Sequence, residues 1–151
     1  MNAPQFEFLF TLTAEVDDIV TMGVTPLGER RMVQITGGHF EGPQVSGDVL
    51  GGADWQIVRT DGAIELDARY AIKEASGGLV QVVSQGLRHG PPGVLARLAR
   101  GEDVPPDRYF FRTIMRFETG ASELGFLNKT IAVASAERKA RRVKLQAWRL
   151  L

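Results

Sequence analysis

The stretch from Trp55 to Leu87 alternates apolar and polar residues and is broken only by Asp61-Gly62 and Ser76-Gly77-Gly78. A period of two belongs to strands with one buried face, and Asp-Gly between two such runs is a strong hairpin signal. The middle of the chain is thereby committed to antiparallel sheet. Gln5 to Ala14 repeats the pattern, with Phe6, Phe8, Phe10 and Leu12 on one side and Glu7, Thr11 and Thr13 interleaved. Met22 to Thr25 is a short strand ended by the turn Thr25-Pro26-Leu27-Gly28. Arg31 to Thr36 is extended, Gly37-Gly38 interrupts it, and a new strand starts near His39. The glycines at positions 42, 47, 51 and 52 predict short, locally bent segments. Tyr109 to Glu118, Phe126 to Ala134 and Val143 to Leu150 complete the extended runs.

Only Pro91-Pro92 through Gly101 changes period. Val94, Leu95 and Leu98 fall at helical spacing, with prolines at the entry and a glycine at the exit, which predicts one short helix. About nine or ten strands, with turn signals every 8 to 12 residues or so, define an all-β fold. Closure into a single antiparallel β-barrel is favoured over a sandwich, because closing the sheet removes its edges and bent glycine-rich strands suit barrel corners. Residues 1–151 are read as one domain.

Composition narrows the function classes. Eighteen Lys and Arg balance eighteen Asp and Glu, so there is no electrostatic footprint for nucleic acid or an anionic membrane. The absence of cysteine removes disulfides, thiolate metal sites and a cysteine nucleophile. The first residues show neither the basic stretch nor the apolar run of a signal peptide, no apolar run approaches about 20 residues, and the chain is expected to be cytoplasmic. Glu137 to Arg142 is read as a solvated hairpin loop rather than a nucleic-acid site. Phosphate-loop, dinucleotide and serine-elbow motifs are missing, and two histidines cannot supply three metal ligands, so any catalysis is expected to need neither metal nor cofactor.

A two-residue turn at Asp61-Gly62 would pair Thr60 with Ala63, setting Asp54 opposite Arg69 and Gln56 opposite Asp67. That face also gains Glu65, Ser84 and Arg88. The other carries Trp55, Ile57, Ile64, Leu66, Ala68, Tyr70, Ile72, Val83, Leu87 and His89. In the plainer interpretation the polar face meets water, and Asp54 with Arg69 is a cross-strand ion pair worth about 0.2 to 1 kcal/mol. In the sharper one the polar face lines a lumen that holds a small ligand. His89, in Arg88-His89-Gly90-Pro91-Pro92, sits where strand meets helix and is a candidate proton-transfer group, with Tyr70 and Arg88 as neighbours. Tyr109-Phe110-Phe111-Arg112-Thr113 offers Arg112 as a planar clamp for a carboxylate or enolate, and Glu118 shares its face.

Gly37-Gly38-His39-Phe40-Glu41-Gly42-Pro43, Gly51-Gly52-Ala53-Asp54-Trp55, Leu66-Asp67-Ala68-Arg69-Tyr70, Arg88-His89-Gly90-Pro91-Pro92 and Tyr109-Phe110-Phe111-Arg112-Thr113 with Arg116-Phe117-Glu118-Thr119-Gly120 occur in that order over nearly the whole chain. Together they resemble a bacterial family of uncharacterised proteins, domain of unknown function 3237. The resemblance implies a single antiparallel barrel that forms homo-oligomers, and it carries no established activity. Asp54, Asp67, Arg69, His89 and Arg112 are the polar residues at matching positions. Ser84 stands where the family often has Asn and Gly93 where it often has Glu.

These expectations combine into a small-molecule barrel: a cofactor-independent isomerase, cyclase or lyase for a small carbonyl or carboxylate compound. Asp54 or His89 would move the proton, Arg69 and Arg112 would hold negative charge, and Trp55, Tyr70 and Tyr109 would pack the ligand. Trp55 and Asp54 are adjacent on one strand and face opposite ways unless a bulge at Gly51-Gly52 intervenes. The alternative is a non-catalytic binding barrel or a structural oligomer with a filled core.

Overall fold

The alternating runs pair in the computed structural model, which describes residues 1–151, as nine strands. They are β1 (Phe6–Val16), β2 (Val20–Thr25), β3 (Gly28–Glu41), β4 (Ser46–Val58), β5 (Ile64–Glu74), β6 (Leu79–His89), β7 (Phe110–Glu118), β8 (Ile131–Arg138) and β9 (Arg142–Leu150). All pairings are antiparallel. Strand β1 pairs with β9 on one side and with the second half of β3 on the other, which closes eight strands into a barrel. Strand β2 pairs with the first half of β3 and lies outside the ring. One helix, α1 (Pro92–Ala99), joins β6 to β7, as its proline entry and apolar spacing predict. No helix is long and apolar enough to cross a membrane.

Period two decides which residues enter the barrel. In β7, Phe111, Thr113, Met115 and Phe117 are buried, while Phe110, Arg112, Ile114, Arg116 and Glu118 are exposed. Thirty buried apolar residues form one core. At its centre Phe10 makes edge-to-face contacts with Phe40 and Phe117, ring centres 5.7 and 6.1 Å apart. Val94 and Leu98 of α1 join that core with Val104, and the segment after α1 reaches the β8–β9 hairpin through an ion pair between Lys139 and Asp103. Helix and segment thus cap the end of the barrel at which β6 stops and β7 begins. Leu124 and Leu127, in a 3-10 segment over Ser122–Lys129, join the core from the β7–β8 connection.

Several sequence expectations shift. Gly37-Gly38 does not divide β3; Gly38 takes φ +133°, and a Cβ there would lie 2.0 Å from the Thr13 carbonyl oxygen, so the bare backbone lets β3 meet β1. Likewise β4 runs unbroken for thirteen residues, bending at Gly51, which also has φ +133°. The strand expected over Phe126 to Ala134 begins at Ile131 instead, because Leu124 and Leu127 bury at a spacing of three, the repeat of a 3-10 helix. Glu137 to Arg142 is not wholly solvated: Arg138 is the last inward residue of β8 and is buried.

The β4–β5 hairpin takes a register one residue away from the expected one. Arg59-Thr60-Asp61-Gly62 forms a turn in which the Gly62 N–H donates to the Arg59 carbonyl at 3.0 Å. The Arg59 N–H donates to the Ala63 carbonyl at 2.9 Å. Only Gly62 has positive φ, at 85°, so this is a longer turn with a left-handed glycine and not the two-residue form, which needs positive φ at both positions. The ladder moves by one: Asp54 faces Ala68, Gln56 faces Leu66, and Arg69 faces Ala53. A one-residue slip exchanges faces. Asp54 and Gln56 therefore point inward with Ile64, Leu66, Ala68 and Tyr70, whereas Glu65, Asp67 and Arg69 point outward. The expected Asp54–Arg69 pair does not exist.

Candidate active site

Inside an otherwise apolar barrel, β4, β5, β6, β7 and β8 each contribute polar inward residues. They are Asp54 and Gln56 from β4, Tyr70 from β5, Ser84 and Arg88 from β6, Thr113 from β7 and Arg138 from β8. Five of them, Asp54, Tyr70, Ser84, Thr113 and Arg138, line a cavity of about 60 Å³ together with apolar residues including Leu12, Val33, Leu66 and Val143, while Gln56 and Arg88 are buried outside its lining. It is smaller than the roughly 150 Å³ that holds benzene. A void of this size has room for a few heavy atoms, and anything longer would have to displace side chains.

Asp54 is half-buried by accessible area, and that area lines the cavity. Its Oδ2 accepts from Gln56 Nε2 at 2.7 Å and its Oδ1 from the Asp67 backbone N–H at 3.0 Å. Burial pushes its carboxyl above the usual carboxylate value, and this outweighs the opposing effects of the Gln56 hydrogen bond and of Arg88. Tyr70 is buried and its hydroxyl has no partner. Its proton is held more tightly than usual, first by burial and then by the nearby Asp54 charge. Ser84 Oγ donates to Thr113 Oγ1 at 2.9 Å. A carboxyl with raised proton affinity beside an unpartnered phenol, in apolar surroundings, is equipped to pass a proton to or from a bound molecule.

The candidate residues divide between the two faces. Asp54 and Tyr70 come together in the lumen. Tyr109 is buried, and its hydroxyl accepts the Arg138 backbone N–H at 2.8 Å, so it braces β8. Trp55, Arg69, His89 and Arg112 lie outside. Trp55 is 42% exposed, as its conflict with Asp54 requires. His89 stacks on Phe110 at 4.7 Å, and the Arg112 guanidinium sits 5.3 Å from the same ring, making an outer surface stack away from Asp54. Arg69 lines an outer groove with Gln81, Gln85, Arg116 and Glu118. Arg88 and Tyr70, expected beside His89, face the other way.

Ser84 and Arg88 are on Asp54's face as expected, although by compensation, since two odd pairing sums and two even ones place β6 alike relative to β4. Arg138 is the residue that sequence reasoning missed. Ala132, Ala134 and Ala136 set an inward rhythm that reaches Arg138 two positions later, and the charge of the neighbouring residues concealed it. No cluster of three or more His, Cys, Asp or Glu side chains is arranged to hold a metal.

Fold and cavity together define a class: a small closed antiparallel barrel with an acid-bearing, arginine-bearing interior. The chain belongs to the family described as "Protein of unknown function (DUF3237)", whose profile matches residues 4–150. A UPF0311 protein of Bradyrhizobium diazoefficiens is 43% identical over 146 residues, covering 96% of this chain and 95% of that one. The crystal structure of a conserved protein of unknown function from Rhodopseudomonas palustris is similar at TM-score 0.93 and 39% identity, covering 100% and 99% of the two chains. A β-barrel-like protein from Acinetobacter baumannii matches at TM-score 0.87 and 37% identity, covering 100% and 98%. A structure described as an enzyme from Penicillium herquei shares the fold at TM-score 0.76 and 20% identity, covering 100% and 97%.

Proposed function

We propose that the barrel lumen binds a small carbonyl or carboxylate compound and that Asp54 moves a proton on it, making the chain a cofactor-independent isomerase, cyclase or lyase. The observation that carries this is the placement of the Asp54 carboxyl on the cavity wall beside the unpartnered Tyr70 hydroxyl. A barrel that needed only a filled core would gain stability from apolar residues at both positions. The proton acceptor or donor at the reacting carbon is Asp54, Tyr70 supplies a hydrogen bond to a developing oxyanion, and the apolar wall excludes water.

The test is solvent deuterium exchange, followed by proton NMR, at the carbon next to the carbonyl in a panel of small ketones and keto acids. The protein is expected to accelerate exchange for at least one compound, and Asp54→Asn, which can keep both hydrogen bonds by rotation of the Gln56 amide, is expected to bind it without exchange. No exchange by either protein, with binding intact, favours the non-catalytic binding barrel. The 60 Å³ size of the void is what supports a second reading, a barrel with an essentially filled core.

The homo-oligomer is part of the proposal. Phe8, Trp148, Val133 and Ile114 are in register on the outer faces of four adjacent strands. Phe8 and Ile114 are 38% and 56% exposed. The row carries no charge, and an uncharged apolar stripe is complementary to itself, as a two-fold interface requires. A second copy of this chain is the proposed occupant.

A further inference from the structure

Arg88 and Arg138 are the most anomalous side chains in the molecule. They retain 4% and 6% of their surface, and both extend from inward positions at the α1 end of the barrel. Neither guanidinium joins any of the ion pairs, which all lie between other residues. Arg138 engages Tyr109 only through its backbone, Arg88 lies 5.4 Å from the Phe111 ring, and the Arg88 Nε–H is buried without a partner. A buried guanidinium ordinarily meets a carboxylate. Here the one carboxyl within electrostatic reach of both is Asp54, whose oxygens are engaged by Gln56 and the Asp67 N–H.

We infer that Arg138, on the cavity wall, and Arg88, buried at the same end of the barrel just outside that lining, form a seat for the carboxylate of a small organic acid, whose short apolar body lies along the cavity wall toward Asp54 and Tyr70. The inference rests on the proposed use of the lumen as a binding site and adds its substrate class. Three features select a carboxylate. The planar fork of Arg138 on the cavity wall matches two carboxylate oxygens, and the Arg88 Nε–H is a buried donor still without a partner. Two fixed positive charges face a single carboxyl, so the lumen keeps a positive surplus whichever form Asp54 takes, and a bound carboxylate reduces that surplus. The void of about 60 Å³ admits a carboxylate head, and Leu12, Val33, Leu66 and Val143 surround the apolar body behind that head with hydrocarbon. The proton that Asp54 moves would then lie on a carbon near the carboxylate. Burial, chiefly, and then the neighbouring Arg138 pull the Arg88 proton affinity down to about 10, so Arg88 keeps its charge at neutral pH.

The experiment compares acetate, propionate and butyrate with acetamide, propionamide and butyramide, at pH 7 and constant ionic strength, by calorimetric titration and thermal shift on the wild type, Arg88→Met and Arg138→Gln. The acids are expected to bind and raise Tm, the amides to bind about tenfold more weakly or not at all, and each variant to lose that preference. Arg88→Met is expected to match or exceed the wild type in Tm without ligand, since it removes a buried unpaired charge. If Arg88→Met does not fold, Arg138→Gln and the Arg88 Nε–H resonance of the wild type, expected to move on acetate addition, carry the test. Equal binding of acids and amides overturns the carboxylate seat and leaves the lumen site standing. Acid binding unchanged in both variants places the anion elsewhere and also overturns it. Binding of neither series overturns the seat together with the lumen reading.

Discussion

In the proposed reaction Asp54 carries the proton, because its carboxyl is kept from bulk water while still facing a cavity. Its raised proton affinity has a consequence for stability. The unfolded chain releases the proton near pH 3.9, as an ordinary carboxyl does, and the folded chain releases it higher. Between those two values the folded state holds more protons than the unfolded state, so raising the pH through this window lowers stability, and below it the penalty vanishes. Asp54→Asn mimics the neutral acid at every pH. It is expected to have a higher Tm than the wild type at pH 7 and the same Tm near pH 3.5, measured by thermal unfolding across that range. A lower Tm at pH 7 would show that the Asp54 charge is held favourably. Asp54 and Tyr70 are legible in the sequence as candidates, whereas residue type alone points Arg69, Arg112 and His89 to the lumen as well, and they lie outside it. Residue type names the chemistry, and only register assigns the face.

Turns and bends fix that register. Asp61-Gly62 signals a hairpin correctly, and a single extra residue in its turn moves Arg69 out of the barrel. Most strands and helix α1 are legible from periodicity, because period two persists through β5, β6 and β7 whatever the turn does, and closure is legible from the glycine-rich bends. The 3-10 segment over Ser122–Lys129 is hidden, since an apolar pair three apart within eight residues fits a strand approach as well as a tight helix. Closure depends on close backbone approach between β1 and β3. Gly38→Ala would drive a Cβ to 2.0 Å from the Thr13 carbonyl oxygen at a positive φ. It is expected to destabilise the fold by about 2 kcal/mol or more, read from denaturant unfolding. An unchanged midpoint would mean that β1 and β3 have freedom to separate at this point.

For the whole molecule, the proposed function gives the inside and the outside of the barrel different tasks. The outer row of Phe8, Trp148, Val133 and Ile114 is expected to meet a second copy, so Ile114→Lys should convert a dimer to monomer in sedimentation velocity without altering the circular dichroism spectrum. A wild type that sediments as a monomer at high concentration would rule the oligomer out. The interior task is tested most directly by calorimetric titration of one bound small acid or ketone against three proteins: the wild type, Ala68→Leu and Arg69→Ala. Ala68 lines the cavity opposite Asp54, so the larger side chain fills the space, while its neighbour Arg69 lies on the outer surface. Loss of binding in Ala68→Leu with affinity unchanged in Arg69→Ala is the predicted result, and the reverse pattern would place the site on the outside of the barrel.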